Sequence, residues 1–322
     1  MARKRDMSSR ENLFIVDGHA LAYRAYFAFI RNPLINSKGE NTSAAFGFTR
    51  MLLLLLNTYK PRYLAVVFDS GEETERHRDF PGYKAHRPAM PDDMVRELPW
   101  IFEVTRSLGV KVVMRPGIEA DDLIATLARK ANAAGLDATI VTGDKDFLQL
   151  LSDRIRIIRP EKGTALTAEI GPEYCRERFG LAPERVVDLL ALMGDASDNI
   201  PGVPGIGEKT ALKLLHEFGS LEALYGRLEN VKPEHVREKL RRGRESALLS
   251  RELVTLREVA VEFSLPELSV AAPDGAKLTD LMLRLEFHQI LKELSPAETA
   301  RGEGGAYSVV EEDQLRSLAR KL

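Results

Sequence analysis

The sequence predicts an α/β fold: a mainly parallel central sheet flanked by helices, with a helical part after it. Three observations predict this fold class. Segments rich in Val and Ile in the first half are continuously apolar, as parallel strands buried on both faces are. Helical patterns lie between these segments. After about residue 167 the strand-like segments give way to helical patterns.

The expected elements follow one another along the chain as an alternation of strands and helices. Strands are expected within residues 12–19, 62–70, 110–122 and 137–146. Helices are expected at 44–59, 92–108, 120–134, 172–179 and 183–193. A loop rich in Gly and Pro then precedes an amphipathic helix that begins near Lys209, for which Gly219 is a good C-terminal stop.

The segment 115–131, RPGIEADDLIATLARKA, places three acids at the start of an otherwise apolar helix. These acids are Glu119, Asp121 and Asp122. Acidic residues suit the first turn of any helix, because the free N–H groups there carry partial positive charge. The other interpretation is that they join carboxylates from elsewhere in the chain.

Several predicted strands end in acids, which favours the second interpretation. In open α/β sheets the functional site lies outside the carboxyl ends of the strands. The GDASD segment in the helical part adds two more acids. The pool then has nine members: Asp17, Asp69, Glu119, Asp121, Asp122, Asp144, Asp146, Asp195 and Asp198.

Nine carboxylates on one rim require compensation by cations. Two unit charges 4 Å apart repel by about 4 kcal/mol at an effective dielectric of 20. Ligands that are all oxygen select hard ions such as Mg²⁺ or Mn²⁺. More carboxylates than one ion can use indicates two ions, a pair that suits in-line displacement at phosphorus.

The composition is that of a globular protein with a core, and it narrows the function classes. The 322 residues are 44% hydrophobic and 29% charged. A single cysteine, Cys175, excludes an internal disulfide, and the apolar run 51–57 is too short to span a membrane. The whole chain carries −2, so the residues other than the nine acids carry +7. A mildly basic surface around an acidic site suits a polyanion.

Three segments have features of nucleic-acid binding, each with a plainer explanation. Residues 80–91 place Tyr83 beside Lys84 and Arg87, which suits stacking and phosphate binding but also a solvated loop. The turn with Gly202, Gly205 and Gly207 before Lys209 could bind phosphate through N–H groups or be purely structural. The cations of 236–246 could follow a DNA backbone or form a wet helix face.

Taken together, the motifs resemble a known family over about residues 12–295. The matching segments are IVDGHALAYRAYFA, VVFDSGEETERHRDFPGYKAHR, GIEADDLIATLA, IVTGDKDFLQL and LMGDASDNIPGVPGIGEKTA. They resemble the 5′ nuclease domain of bacterial DNA polymerase I, within the flap endonuclease superfamily. The resemblance implies a PIN-like core with a helix–three-turn–helix DNA-binding subdomain. It also implies metal-dependent 5′-3′ exonuclease and 5′-flap cleavage that leaves a 5′-phosphate.

The resemblance also assigns roles to individual residues. It implies one metal ion on Asp17, Asp69, Glu119 and Asp121, and a second on Asp144, Asp146 and Asp195, with Asp122 and Asp198 nearby or acting through water. Lys84 and Arg87 would contact the scissile phosphate, so that the catalytic set is Lys84, Arg87, Asp17 and Asp121. Arg24 and Tyr83 would position the 5′ strand. The turn from Gly202 to Lys209 would grip the duplex backbone with a K⁺ ion.

Domain boundaries and partners follow from the same resemblance. We expect a nuclease core at 12–170 with an arch-like loop at about 71–98, then a helical DNA-binding subdomain and C-terminal return segment at 171–295. A linker at 296–305 and the start of a following domain at 306–322 are expected beyond it. The implied partners are DNA with a 5′ flap, nick or junction and RNA primers in duplex, with no membrane. A cytoplasmic, nucleoid-associated monomer that is part of a longer polymerase chain is expected.

Two other functions remain open from the residues alone. A small-molecule metallophosphatase on a similar sheet would hydrolyse a free phosphomonoester and ignore DNA. A non-catalytic DNA-junction binder would lack several of the acids, and none is missing here.

Overall fold

A parallel sheet forms the centre of the first half of the protein. The computed structural model describes residues 11–160 and 169–294. Within them the sheet has five strands in the order β3-β2-β1-β4-β5, and every neighbouring pair is parallel. The strands are β1 Asn12–Asp17, β2 Tyr63–Val67, β3 Lys111–Val113, β4 Asp137–Val141 and β5 Ile155–Ile158. The predicted fold class is confirmed, and four of these strands lie within the predicted segments.

The helices of this half connect the strands. They are α1 Gly18–Ala28, α2 Ser43–Tyr59, the short α3 Glu75–Asp79, α4 Asp92–Ser107 and α5 Ala120–Ala133. A 3₁₀ turn at Asp146–Leu150 lies between β4 and β5. The helices predicted at 44–59, 92–108 and 120–134 match α2, α4 and α5 to within one residue at each end.

Two differences from the sequence-based expectations have simple physical causes. Strand β5 was not predicted, because it has only four residues and an arginine interrupts its apolar pattern. The loop expected at about 71–98 is also shorter than predicted, since α4 begins at Asp92.

The second half is helical as far as the structure describes it. Its helices are α6 Pro172–Phe179, α7 Val186–Met193, α8 Glu208–Phe218, α9 Leu221–Gly226, α10 Glu234–Arg242 and α11 Arg244–Val254. Three 3₁₀ turns occur at Pro183–Arg185, Leu228–Asn230 and Leu265–Leu268. The helix predicted at 183–193 is therefore a 3₁₀ turn followed by α7.

Helix α7 joins the two halves through its two apolar faces. Val186 and Leu190 are buried in the core that covers the sheet. Leu189 and Leu192 are buried in a second core formed by the helices around α8. Because one short helix contributes to both cores, the loop that follows it has a fixed place relative to the sheet.

The chain divides into two compact units, with the boundary in the sequence between Leu278 and Thr279. Helix α12 Gly275–Arg284 crosses this boundary, and α13 His288–Leu294 belongs to the second unit. The expected linker at 296–305 and the start of a further domain at 306–322 lie outside the described residues. No helix within residues 11–160 and 169–294 is long and apolar enough to cross a membrane.

Candidate active site

The strand order places the acids that follow β1, β2 and β4 along one edge of the sheet, which we call the rim. Strand β1 lies between β2 and β4, so Asp17 at its carboxyl end is flanked by Asp69 and Asp144 just beyond theirs. Glu119 and Asp121 lie at the start of α5, which packs on β1 and β4. Residues far apart in sequence therefore meet at this rim because parallel strands all end on the same side.

Asp17 is held at the centre of the rim by two hydrogen bonds. Its Oδ1 accepts the Ala20 N–H at 3.0 Å, and its Oδ2 accepts the hydroxyl of Thr142 at 2.9 Å. Burial raises the pKa of Asp17 to about 6, and repulsion from Asp144 and Asp69 adds to this effect. A cation bound near Asp17 would therefore stabilise the ionised form of its carboxyl group.

Asp69 links the end of β2 to the start of α5. Its Oδ1 accepts the Ala120 N–H at 2.7 Å, and its Oδ2 lies 3.4 Å from His19 Nδ1. Burial favours the neutral carboxyl, but these interactions outweigh it and hold the pKa of Asp69 below its ordinary value. Asp69 is therefore ionised at neutral pH.

Glu119 is surrounded by donors from the loop after β2. It accepts hydrogen bonds from Thr74 Oγ1 at 3.0 Å, Tyr83 OH at 3.1 Å and Lys84 Nζ at 2.8 Å. Burial opposes ionisation, but Lys84 and Arg76 keep the pKa of Glu119 below its usual value. The loop and the start of α5 are thus joined by charge.

Asp121 has the opposite balance of charges. Lys84 Nζ lies 3.6 Å from its Oδ2, which favours ionisation. Burial, together with repulsion from Asp144, Asp17 and Asp69, outweighs that attraction and raises the pKa of Asp121 well above its usual value. Burial and repulsion therefore favour the protonated form of Asp121.

A second group of acids comes from the loop after β4 and the loop after α7. Burial and repulsion from Asp144, Asp198 and Asp195 raise the pKa of Asp146 to about 8. Its buried Oδ1 accepts no hydrogen bond among the described residues. A buried carboxylate oxygen without a donor is a suitable ligand for a cation.

Asp195 and Asp198 are brought to this group by a closed loop. An antiparallel bridge joins Asp195 to Ile200. Asp195 accepts hydrogen bonds from Ser197, and its Oδ2 lies 2.9 Å from Lys145 Nζ. These contacts outweigh the effect of burial and lower the pKa of Asp195.

Basic side chains neutralise part of the acid pool. Lys84, Lys145 and Arg87 form ion pairs with Glu119, Asp195 and Asp198 respectively. Among residues 11–160 and 169–294, no three His, Cys, Asp or Glu side chains form a ready-made ion site in this arrangement. The acids nevertheless influence one another's pKa values and so share one electrostatic neighbourhood.

The structure places Asp122 away from its predicted role. Both of its oxygens accept hydrogen bonds from Arg76, at 2.6 and 2.9 Å, and its Oδ1 also accepts the Arg257 N–H at 2.8 Å. These partners engage both oxygens and offset the charge of Asp122, which disfavours binding of an ion. Arg76 is itself buried in this pair.

The loop at 80–87 is folded onto the acids. Tyr83 is only 4% exposed and its hydroxyl donates to Glu119, so its ring cannot stack on a DNA strand in this conformation. Lys84 N donates to Asp198 O at 2.9 Å, and Asn199 Nδ2 donates to Gly82 O at 2.6 Å. The loop therefore joins the two groups of acids. Arg24 lies half-buried on α1.

The Gly-rich turn has the shape that the sequence predicts. Gly202 and Gly205 have φ of +60° and +81°, and α8 begins directly after Gly207. Lys209 lies in the first turn of α8, which leaves N–H groups at a helix start.

The cations of 236–246 are largely engaged within the protein. Arg237 and Arg241 pair with glutamates on and before α10, and Lys239 Nζ donates to Gly205 O at 3.1 Å. The contacts of Arg237 and Arg241 therefore favour the interpretation of this segment as a solvated helix face whose charge is neutralised by its own glutamates. Lys239 instead supports the Gly-rich turn.

Comparison with known families identifies the chain. Residues 12–180 match the model of the 5′-3′ exonuclease N-terminal resolvase-like domain, and residues 181–276 match the 5′-3′ exonuclease C-terminal SAM fold. The chain belongs to the 5′-3′ exonuclease family. The 5′-3′ exonuclease function expected from the sequence is thus confirmed at the level of the family. The division between the two family models, at 180/181, lies ten residues from the boundary predicted at 170/171.

Relatives of the chain include bacterial DNA polymerases. It is 40% identical to DNA polymerase I of Bacillus caldotenax, over 88% of this chain and 32% of that protein. It is 44% identical to the thermostable DNA polymerase I of Thermus thermophilus, over 89% of this chain and 33% of that protein. The chain therefore spans about a third of the length of these relatives.

Solved structures share the fold of the chain. T5 5′-exonuclease with bound zinc ions superposes with a TM-score of 0.65 at 22% identity, covering 89% of this chain and 97% of that one. The catalytic core of Rad2 in complex with DNA substrate gives a TM-score of 0.61 at 19% identity, covering 89% and 92%. At this level of identity the comparison supports the fold.

Two polar residues of the site were not identified from the sequence. Thr142 positions Asp17, and Lys145 pairs with Asp195. Both lie in the segment IVTGDKDFLQL, between or just before its acids. A polar residue adjoining a carboxylate is the signal that could have found them.

Proposed function

We propose that this chain hydrolyses phosphodiester bonds of DNA at a single-strand/duplex junction, as a 5′-3′ exonuclease and 5′-flap endonuclease that leaves a 5′-phosphate. The observation that carries the proposal is the rim where Asp17, Asp69, Asp121 and Asp144 lie together, and where burial and repulsion between carboxylates raise the pKa values of Asp17, Asp121 and Asp144. Clustered carboxylates destabilise a fold unless cations neutralise them, so such a cluster indicates a site for divalent cations.

Two ions of Mg²⁺ or Mn²⁺ fit the donor set. The ligands offered are oxygens, and buried Asp146 Oδ1 lacks a hydrogen-bond donor among the described residues. We assign Asp17, Asp69, Glu119 and Asp121 to one ion and Asp144, Asp146 and Asp195 to the other. Bound divalent ions supply an activated water and charge neutralisation at phosphorus. The T5 relative with bound zinc supports metal binding at this fold.

Lys84 and Arg87 are assigned to the scissile phosphate. In the described arrangement they neutralise Glu119 and Asp198, so both cationic groups already face the acids. If divalent ions neutralised Glu119 and Asp198, the Lys84 ammonium and the Arg87 guanidinium would be free to donate to phosphate oxygens. Their charge then stabilises the negative charge that develops during hydrolysis.

The Gly-rich turn and the start of α8 are assigned to the duplex backbone. Free N–H groups of the first turn and the Lys209 ammonium suit phosphate without reading bases. The same proposal includes a K⁺ ion at this turn, contact of Arg24 with the 5′ strand, and RNA primers as substrates. It also includes a monomeric nuclease within a longer polymerase chain, since the relatives are about three times longer.

Cleavage of defined DNA substrates tests the proposed function. The purified chain is mixed with a labelled 5′-flap duplex and Mg²⁺, with and without a chelator. We expect short 5′-phosphorylated products that require the metal and the junction. A fully single-stranded oligonucleotide and p-nitrophenyl phosphate serve as controls, and hydrolysis of the latter alone would indicate a phosphatase instead.

The Asp121→Ala variant separates catalysis from binding. Because Asp121 lies at the rim and not at the Gly-rich turn, we expect cleavage to be lost while affinity for the flap duplex is largely kept. Binding is measured by fluorescence anisotropy in Ca²⁺. Unchanged cleavage by Asp121→Ala would contradict the assigned site.

A further inference from the structure

Asp122 lies on a different face of α5 from the other acids at its start. Side chains four and seven residues apart lie on one face of a helix. Thr126 and Arg129 are spaced in this way from Asp122, whereas Asp121 is turned about 100° away. Lys130 is eight residues from Asp122 and belongs to the same face.

This face of α5 binds the chain that leaves α11. The Arg257 N–H donates to Asp122 Oδ1 at 2.8 Å, and the Val259 N–H donates to Thr126 Oγ1 at 3.0 Å. Arg129 donates to Leu256 O at 3.1 and 3.2 Å, and Lys130 donates to Val261 O. We call residues 255–261 the return segment; α5 contacts it along two turns.

Arg76 completes the attachment from the other side. Its guanidinium donates to both oxygens of Asp122, and its NH2 group also donates to Thr255 O at 2.7 Å. Its NH1 group lies 3.3 Å from Glu119 Oε1. Arg76 therefore joins the loop after β2, the return segment and a candidate metal ligand.

We infer that Asp122 and Arg76 form a buried positioning pair rather than part of the metal site. The pair fastens the base of the loop at 71–91 and the return segment to α5. In doing so it fixes Glu119, on which Lys84 and Tyr83 also converge. Both side chains are at most 7% exposed, so loss of one charge leaves the other buried without a partner.

The inference rests on the proposed metal-dependent function only where it excludes Asp122 from the metal ligands. The test compares Asp122→Asn, Arg76→Gln, the double variant and Asp121→Asn. Mn²⁺ binding is measured by calorimetry, and thermal stability is measured in chelator. We expect Asp122→Asn and Arg76→Gln each to lower the melting temperature. The decrease in the double variant should be smaller than the sum of the two single decreases.

The metal measurements discriminate between a ligand and a positioning residue. We expect the double variant to bind the same number of Mn²⁺ ions as the wild type, with an affinity changed less than about tenfold. Asp121→Asn should lose at least about tenfold in affinity at one ion. Because the double variant leaves no unpaired buried charge, it keeps the test valid if either single variant fails to fold.

Two results would overturn the inference. One is loss of an Mn²⁺ ion in the double variant and in Asp122→Asn but not in Arg76→Gln. The other is full additivity of the two melting-temperature changes, since a pair that acts together cannot give it. Absence of Mn²⁺ binding to the wild type would count against the proposed function alone, because the melting temperatures test the pair separately.

Discussion

At the scale of single residues, the acids of the site differ in charge state because their neighbours differ. Asp69 and Asp195 receive hydrogen bonds that keep their pKa values low, whereas Asp121 and Asp146 face other carboxylates and have raised pKa values. Lys84 lies between these environments. Burial lowers the pKa of Lys84, but attraction to its neighbours, Asp121 above all, outweighs burial and holds that pKa well above the usual value. Lys84 is therefore charged at neutral pH.

Replacing Lys84 tests its role toward phosphate. We expect Lys84→Ala to slow cleavage of the flap duplex by on the order of 10²-fold, because one donor to the developing charge is lost. Mn²⁺ binding should be unchanged or tighter, since an ammonium group no longer occupies Glu119. Lys111→Ala, at an exposed position of the edge strand β3, is the matched control. Equal losses in both variants would refute a specific role.

Glu97 provides a second prediction at this scale, away from the site. It is fully buried on α4, and its Oε2 accepts the Ala45 N–H of α2 at 2.8 Å. Burial raises its pKa from 4.5 to about 7. The folded state therefore holds a proton that the unfolded state releases, so its contribution to stability is lost as pH rises from about 4.5 to about 7.

The Glu97→Gln variant should lack this part of the pH dependence. At about 1.4 kcal/mol for each pKa unit, the wild type should lose up to about 3 kcal/mol relative to the variant across that range. Urea unfolding at pH 5 and pH 7.5 measures the difference, with Glu217→Gln, at an exposed position of α8, as the control. Parallel pH curves for wild type and Glu97→Gln would rule out the assignment.

At the scale of elements, the loop between α7 and α8 is held at its neck by glycines and serines. A Cβ on Gly202 would lie 2.3 Å from Gly194 N. Ser250 Oγ accepts the Gly202 N–H at 2.9 Å, and Ser246 Oγ donates to Gly202 O at 2.6 Å. Helix α11 thus fixes the loop that carries Asp195 and the turn assigned to DNA.

Two glycine variants test this neck. Gly202 has φ of +60°, where a side chain costs about 1–2 kcal/mol before any clash, so Gly202→Ala should lower stability by more than about 2 kcal/mol. It should also reduce flap cleavage. Gly207→Ala is the control, because a Cβ there meets nothing within 4 Å, and it should change stability by less than about 1 kcal/mol. Similar stabilities of the two variants would be inconsistent with this geometry.

At the scale of the whole molecule, the acid pool lowers the stability of the metal-free fold. The pKa of Asp146 is raised from 3.8 to about 8, so the folded state binds a proton that the unfolded state does not. This stabilising proton is lost as pH rises toward 8, and stability falls with it. Ions that bind the folded protein reverse the effect by mass action.

Asp146→Asn should therefore be more stable than the wild type in chelator at pH 9. We expect its melting temperature to rise by at least about 2 °C, since the repulsion is removed. Addition of Mg²⁺ should raise the melting temperature of the wild type more than that of the variant. Asp137→Asn, at the opposite end of β4, is the control. A lower melting temperature for Asp146→Asn in chelator would contradict an acid pool under repulsion.

The alternating strands and helices can be predicted from the sequence, because apolar runs and helical periodicity are local properties. The acids at the strand ends can be identified in the same way, since the ends of Val- and Ile-rich segments can be read directly. The partner of each acid, in contrast, depends on the folded structure. Asp121 and Asp122 are adjacent in sequence, yet one faces the rim and the other binds Arg76 and the return segment. Tyr83 was likewise expected at the surface and is buried, because its hydroxyl meets Glu119 from another element. Side-chain partners that are distant in sequence depend on packing, which no local pattern encodes.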